Sequence, residues 1–467
     1  MRASLVAEKL GLPSVSIVET GFMALARATA QGVVGVPKLP IAELPGVVMT
    51  DTKEELRQKV EEVVIKDVVK GLATPVAKEE VKLVEPAPRN IIFKGTLEEV
   101  NDFFYDNLWT DGLPIIPPTL AKVEEFMKFT DRTPEDVIGV LLPENREATV
   151  WNVAVNGVMA GCHPAYMPIL IAVIEAISDP EFRIQDAGST PGWEPLIILN
   201  GPIMKQLNFN YEQGVLRVGR RANTSVGRFL RLYMRNIPGF RIPPGKTDKG
   251  TIAQTFNCVL AENEDAVTEV GWEPFSVDQG FKRGENVVTV QSVLYTSAPT
   301  YSEGDTRQDH IEFLAEVIGQ RAIAYRTPTG LSRGSYHPLI VMSPSIAKMV
   351  AKDGKTKDDF RRYLYDNVKA PAWLLEREWR AKRPPTMNLC ELANEGIISK
   401  EYCESTDPDR MVPVFPRPEW IGIVISGDPD RNQSKGYVNN HRQGAPVSKR
   451  IGLPTNWEQM LAKVQTR

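Results

Sequence analysis

Apolar and polar positions alternate along this chain in two periods, and the change from one to the other marks its elements. Met1 to Gly11 repeats at helical spacing, with Arg2, Glu8 and Lys9 on the polar side. Gly11 and Pro13 stop that helix and lead into a β-rich run, Ser14–Val18. A helical stretch at Phe22–Ala30, a short strand near Leu39–Glu43 and a helix over Lys53–Val69 follow. Helix and strand in turn are the rhythm of a doubly wound parallel sheet. Two parallel strands are too few to stand alone, because such sheets are flanked on both faces and both sides. Either a further βα unit from elsewhere completes this one, or the two strands join the sheet of the domain that follows.

The fold class expected is therefore α/β: an incomplete doubly wound parallel unit over residues 1–72, then a larger mixed α/β domain. Residues 73–90 read as a linker, with Pro75, Pro86 and Pro88 around a charged stretch that has no apolar face. Residues 91–345 form the expected main domain. It holds helices at Leu97–Leu108 and Lys122–Phe129, core helices at Val150–Met159 and Met167–Ile177, and buried strands at Leu196–Leu199 and Val287–Val290. Residues 346–467 form a C-terminal extension packing on it, led by the helix Ser345–Ala351. Next come a charged helix at Lys357–Val368, with Lys357 read as a surface lysine, and a final strand Gly422–Ser426. No internal repeat is present.

Composition narrows the class. Of 467 residues 42% are hydrophobic and 24% charged, the balance of a globular chain, and the net charge of −4 offers nothing to a nucleic acid or an anionic membrane. The longest apolar run, Met167–Ile177, is too short for a bilayer and contains Pro168 and Glu175. The N-terminal stretch lacks the apolar core of a signal peptide. Cys162, Cys258, Cys390 and Cys403 include no C-x-x-C pair, so no zinc knuckle or thioredoxin-type motif is expected, and their wide spacing fits reduced thiols in a cytoplasm. No metal set stands out, and no cofactor can be assigned: H-E-x-x-H, P-loop and G-x-G-x-x-G patterns are all missing.

Three places carry candidate chemistry. Gly161-Cys162-His163-Pro164 precedes the Met167–Ile177 helix; a thiol at a helix N-terminus beside an imidazole favours its thiolate, a nucleophile or ligand. The plain alternative is a packed cysteine with His163 bonded to a loop carbonyl. The run Val218–Arg228, a glycine turn and polar residues, precedes an expected helical stretch at Phe229–Met234; free N–H groups at that helix start and the guanidiniums suit a phosphate or carboxylate, with Arg220, Arg221, Asn223 and Arg228 as binders and Asn156 as a further substrate contact. The alternative is a solvated basic face. Asp111-Gly112 makes a turn that presents a carboxylate, or is simply a turn. His310, His337 and His441 share no ligand spacing.

Several runs resemble the UGSC family, named for a Gly-Ser-Cys motif carrying cysteine or selenocysteine: Asp111–Thr119, Thr149–Tyr166, Leu199–Pro202, Arg221–Arg228, and in the N-terminal part Lys9–Val18 and Gly21–Ala28. The resemblance implies a redox-active thiol or selenol upstream of Met1, brought by a partner chain or by an earlier start of the reading frame. Leu216–Arg220 departs from the Gly-Pro-Gly run expected there, which puts a shared ligand in doubt. The implied function is a subunit of a thiol- or selenol-dependent redox enzyme acting on a small anionic molecule, with Cys162, His163 and Asp111 in catalytic roles. A lyase or hydratase with Cys162 or His163 as general base, and a non-catalytic scaffold subunit, are the alternatives.

Overall fold

The computed structural model describes the chain except residues 1–3, 5–6, 9, 29, 31–37, 49, 76–86, 189–191, 242–254, 325–335, 377–387, 435, 441–444 and 466–467. Its Cα positions divide into two units, residues 1–112 with 140–147 and 234–249, and residues 113–139, 148–233 and 250–467. Most of the expected linker and of the first helix, and His441, lie outside the described residues.

In the smaller unit β1 (Ser16–Glu19) leads through α1 (Met23–Ala28) to β2 (Ile41–Leu44). The two strands pair in parallel, Ser16 opposite Ile41, as the alternation of helix and strand predicts. They form a sheet of their own among the described residues and do not join the larger one. Thr52 opens the next helix with a reciprocal capping box to Glu55. That helix runs as α2 (Lys53–Lys59), a π turn Val60–Val64 and α3 (Ile65–Ala73). Ala42 and Leu44 pack on Val64, with Val15, Leu56, Val60 and Val68 around them. Ile17 on β1 stays 57% exposed. Further along, α4 (Leu97–Asp106) is capped by Thr96 and Glu99, and Phe93, Phe103, Phe104 and Trp109 form an aromatic cluster beside it.

In the larger unit α5 (Leu120–Met127), α6 (Val150–Met159) and the almost wholly buried α7 (Met167–Ser178) precede β3 (Glu194–Asn200). Then come α8 (Arg221–Asn236, whose last turn belongs to the smaller unit), β4 (Val259–Ala261), β5 (Val287–Thr296), α9 (Arg307–Ala324), β6 (Leu339–Met342), α10 (Pro344–Val350) and α11 (Lys357–Asn367). β7 (Lys369–Pro371), α12 (Leu389–Asn394), β8 (Met411–Pro413), β9 (Gly422–Ile425), β10 (Val438–Asn440), β11 (Val447–Arg450) and the C-terminal helix Trp457–Gln465 follow. The main sheet runs β4-β3-β5-β10-β6-β9, with β11 also on β5. It is mixed: β3 with β4 and β6 with β9 are parallel, while β5 and β10 run against their neighbours.

The two outer strands of this run meet. Asn263, just after β4, donates its N–H to the carbonyl of Ile425 at the end of β9, 2.8 Å away. The sheet thus closes on itself at that end, around Leu196, Ile198, Leu260, Val293, Leu339, Val341, Val424 and Val438, one face of six strands. The other face of β6 and β9, Ile340, Met342, Ile423 and Ile425, packs under Ile311, Leu314 and Ile318 of α9, Ile346 of α10 and Phe360 and Leu364 of α11.

Three expectations need correction. Gly422–Ile425 is not the final strand, because β10 and β11 follow it; their weak apolar pattern hides strands that pair inside a sheet already covered. Lys357 is only 5% exposed and, with Arg361, pairs with Asp278, so the charged helix turns cations inward. Only Cys162 and Cys258 are free thiols; Cys390 and Cys403 are joined by a disulfide. α12 and the 3₁₀ turn Lys400–Cys403 double back and bring their Cα atoms to 4.8 Å, inside the range a disulfide spans.

α8 lies so close to the chain before β4 that a Cβ on Gly227 would stand 2.4 Å from the carbonyl carbon of Asn257. Gly227→Ala should therefore lower unfolding free energy by about 1–3 kcal/mol, even against a helix-propensity gain of about 1 kcal/mol. Gly452→Ala, which meets open space, should stay within about 0.5 kcal/mol. Urea titrations of the two variants check this.

Candidate functional site

α6 ends in a Schellman motif: Gly161, at φ +79°, donates to Val158 O and Cys162 donates to Gly157 O, each at 3.0 Å. Cys162 therefore follows the C-terminus of α6, the negative end of a helix dipole. It does not open α7. His163 opens the next turn instead: its Nδ1 accepts the N–H of Ala165 at the head of the 3₁₀ turn Pro164–Tyr166. The thiol of Cys162 is buried, faces Ser225 on α8 and lies near the Arg221 and Arg228 guanidiniums. Burial pushes the thiol up to about 12, against the opposing pull of Ser225 and the two arginines. Burial and the position after the C-terminus of α6 both disfavour the thiolate that a helix N-terminus would favour.

The fold does bring separate sequence runs together here. Arg221 donates through Nε and Nη2 to Gly161 O at 3.3 Å, and Arg228 through Nη2 to Pro114 O at 2.9 Å. Ile116 N–H bonds Met159 O, which places the Leu113–Thr119 run against the end of α6. Tyr166 stands by Cys162 and Arg221; burial raises its phenol, Arg221 opposes the shift and Cys162 adds to it. Tyr166 and Ser225 were not singled out from sequence, since nothing in their local pattern separates them from ordinary core positions. Two guanidiniums, a phenol and a neutral thiol suit the holding of a carboxylate or phosphate, not nucleophilic attack.

The other candidates bond elsewhere. Asn223 is buried: its Oδ1 accepts from Asn210 N, and its Nδ2 donates to Asn210 O and Val259 O. Asn156, also buried, donates to Asn152 O within α6. Arg220 is exposed and reaches Asn208 Oδ1 at 3.3 Å. Asp111 belongs to the smaller unit, in the turn closed by Gly112 N–H on Thr110 Oγ1, where its charge faces Arg235. His310 is buried between Ser302 Oγ and Gly304 O. His337 packs on Trp420, and burial lowers its imidazole to about 4. It borders a small cavity with Gln291 and Arg361.

Residues 1–74 match the UGSC family. The UGSC match takes in β1, β2 and the helix packed on them, the part whose parallel pairing the sequence predicts. The runs at 111–119, 149–166, 199–202 and 221–228 lie beyond the matched span. Searches of curated proteins and of solved structures return no match. Among the described residues no group of three or more His, Cys, Asp and Glu is placed to hold a metal, and no helix is long and apolar enough to cross a membrane.

The thiol sets a pH dependence. Below about pH 9, its ordinary value, Cys162 is protonated folded or unfolded, and its burial contributes fully. As pH rises from about 9 towards 12 the unfolded chain loses the proton and the folded chain keeps it, so stability falls. Urea midpoints between pH 8 and 10.5 should decline less steeply in Cys162→Ala than in the parent chain. Iodoacetamide at neutral pH should leave Cys162 unmodified until denaturant is added; rapid native labelling contradicts the buried neutral thiol.

Proposed function

We propose that this chain is one subunit of a thiol- or selenol-dependent redox enzyme of the cytoplasm, acting on a small anionic molecule, with the redox motif carried by a partner chain. The observation that supports it is the UGSC match over residues 1–74, which falls on a two-stranded parallel sheet. Such a pair leaves unpaired strand edges, and Leu10, Leu12, Ile17, Phe22 and Val47 are exposed around it. A partner strand laid along an edge would satisfy the backbone and cover that apolar surface. Arg221 and Arg228 are the proposed anion holders, with Tyr166 beside them; Cys162 takes part as a neutral wall, not as a nucleophile.

One observation favours the scaffold reading. Arg221 and Arg228 already donate to backbone carbonyls, and a guanidinium held that way can serve the fold alone. A base-catalysed lyase or hydratase gains nothing from a thiol pushed up by burial or from a histidine that caps a turn.

The deciding experiment purifies the tagged chain from its own host and identifies what accompanies it. The expected result is a second polypeptide with a Gly-Ser-Cys or Gly-Ser-selenocysteine segment, lost when Ile17→Asp charges the strand surface. Arg221→Ala in that complex should weaken an anionic substrate by roughly 2–5 kcal/mol if the pair is buried, with the loss in KM. A chain active by itself removes the partner; an unchanged KM leaves the scaffold reading.

A further inference from the structure

The Cys390–Cys403 bond lies in residues 389–403, outside the UGSC match and apart from the arginine site, so it stands independently of that proposal. Both cysteines are half-buried. Cys390 is the second residue of α12, whose cap is Asn388: Asn388 Oδ1 accepts the N–H groups of Cys390 and Glu391. Arg410 points Nη2 at Cys390 Sγ, 3.7 Å away. The guanidinium is fixed there by Tyr402 O at 3.0 Å, Asp407 O at 2.9 Å and the Glu376 carboxylate at 3.7 Å. A disulfide sulfur is a weak acceptor and gains little from a cation. A thiolate at the same point gains a charge-assisted bond. Arg410 thus favours the reduced form, and it does so at one sulfur only. Cys403 is flanked in the chain by Glu401 and Glu404, which disfavour negative charge there; the Glu376 carboxylate shares Arg410 Nη2 with Cys390 and opposes its effect in part.

The bond is also not what holds its segment. Leu389, Ala393, Ile398 and Tyr402 are buried in the core under β6 and β9, and Tyr402 Oη donates to Phe415 O at 2.8 Å. These contacts hold α12 and the 3₁₀ turn independently of the bond between the sulfurs. A disulfide whose opening costs the fold little, with a cation aimed at one sulfur, differs from a structural clamp.

We propose that Cys390–Cys403 is a thiol–disulfide exchange site that accepts two electrons from an external dithiol. One thiolate of the dithiol attacks Cys403 Sγ. The Cys403–Cys390 bond breaks, and its electron pair leaves on Cys390 Sγ as a thiolate facing Arg410. The second thiol of the dithiol then attacks the mixed disulfide and releases Cys403. The dithiol ends as a disulfide, this chain as two thiols, and the two dithiol protons pass to the cysteine sulfurs or to water. In a reducing compartment a disulfide of this kind is transient, which reconciles it with a cytoplasmic chain.

The test uses the full-length oxidised chain. Millimolar dithiothreitol should open Cys390–Cys403 within minutes, without denaturant and with the far-ultraviolet circular dichroism unchanged. A brief exposure to glutathione, quenched with acid and then iodoacetamide, should place glutathione on Cys403 and the carbamidomethyl group on Cys390. Arg410→Gln should slow opening roughly 3- to 10-fold, because the leaving thiolate loses its cation, while Arg410→Lys restores most of the rate. Reduction only after unfolding makes the bond a clamp and overturns the proposal. So does glutathione on Cys390, or an Arg410→Gln rate equal to that of the parent chain. The glutathione pattern needs no variant, so a poorly folding Arg410→Gln leaves the question decidable.

Discussion

The larger unit depends on how a single carboxylate is satisfied inside it. Glu262 follows β4 directly and has no exposed surface. Its Oε2 accepts Asn200 Nδ2 at 2.7 Å and Phe275 N–H at 2.6 Å; its Oε1 accepts Ile425 N–H at 3.3 Å. Those donors come from the end of β3, the segment before β5 and the end of β9. Burial raises the carboxyl, buried Lys357 and the bonds from Phe275 and Asn200 oppose the shift, and Glu264 adds to it. A buried acceptor left unsatisfied costs about 1–3 kcal/mol, more when charged. The strands that supply its donors are therefore held in one arrangement. Ser426 adds to the same junction by donating to Ala261 O at 2.8 Å. The apolar interior fills the closed sheet, but it is this polar junction that sets which strand ends meet.

The same economy of placement explains the candidate site. α8 presents successive side chains to different neighbours. Ser225 faces Cys162 and Thr224 faces Cys258, so both free thiols meet a hydroxyl from one helix. Arg231 lies against Glu194 at the start of β3, both buried. Arg221 and Arg228 on the same helix reach the end of α6 and the Leu113–Pro114 backbone. Their electrostatic character follows from position: cations beside carbonyl oxygens and a neutral thiol, with Arg221 still exposed to solvent.

The N-terminal unit poses the opposite problem. Its small core, Ala42, Leu44 and Val64, lies against the helix of residues 53–73, and among the described residues its strands pair only with each other. That is little burial for a parallel sheet. The larger unit covers its sheet with helices, whereas among the described residues this unit's two strands keep open edges.

Local pattern alone determined a good deal. The order of helix and strand in residues 14–73, the parallel pairing it implies, the buried helices at 150–159 and 167–178 and the strands at 194–200 and 422–425 follow from periodicity, caps and turn residues, because these act over a few neighbours. The arginines group as well, but ahead of a helix expected at Phe229–Met234, whereas α8 already begins at Arg221 and carries Arg221 and Arg228 within it. The sequence could not say that Cys162 ends one helix instead of beginning the next. That hinges on a Schellman bond pattern at Gly161, and a glycine there reads equally as a loop. It could not pair Cys390 with Cys403 or turn Lys357 inward, because their partners, Cys403 and Asp278, are respectively 13 and 79 positions away. Nor could it reveal that β4 meets β9. Tertiary structure decided these points for one reason: the cost of burying a thiol, an amine or a carboxylate depends on which distant groups share its enclosure, and separation along the chain carries no record of that.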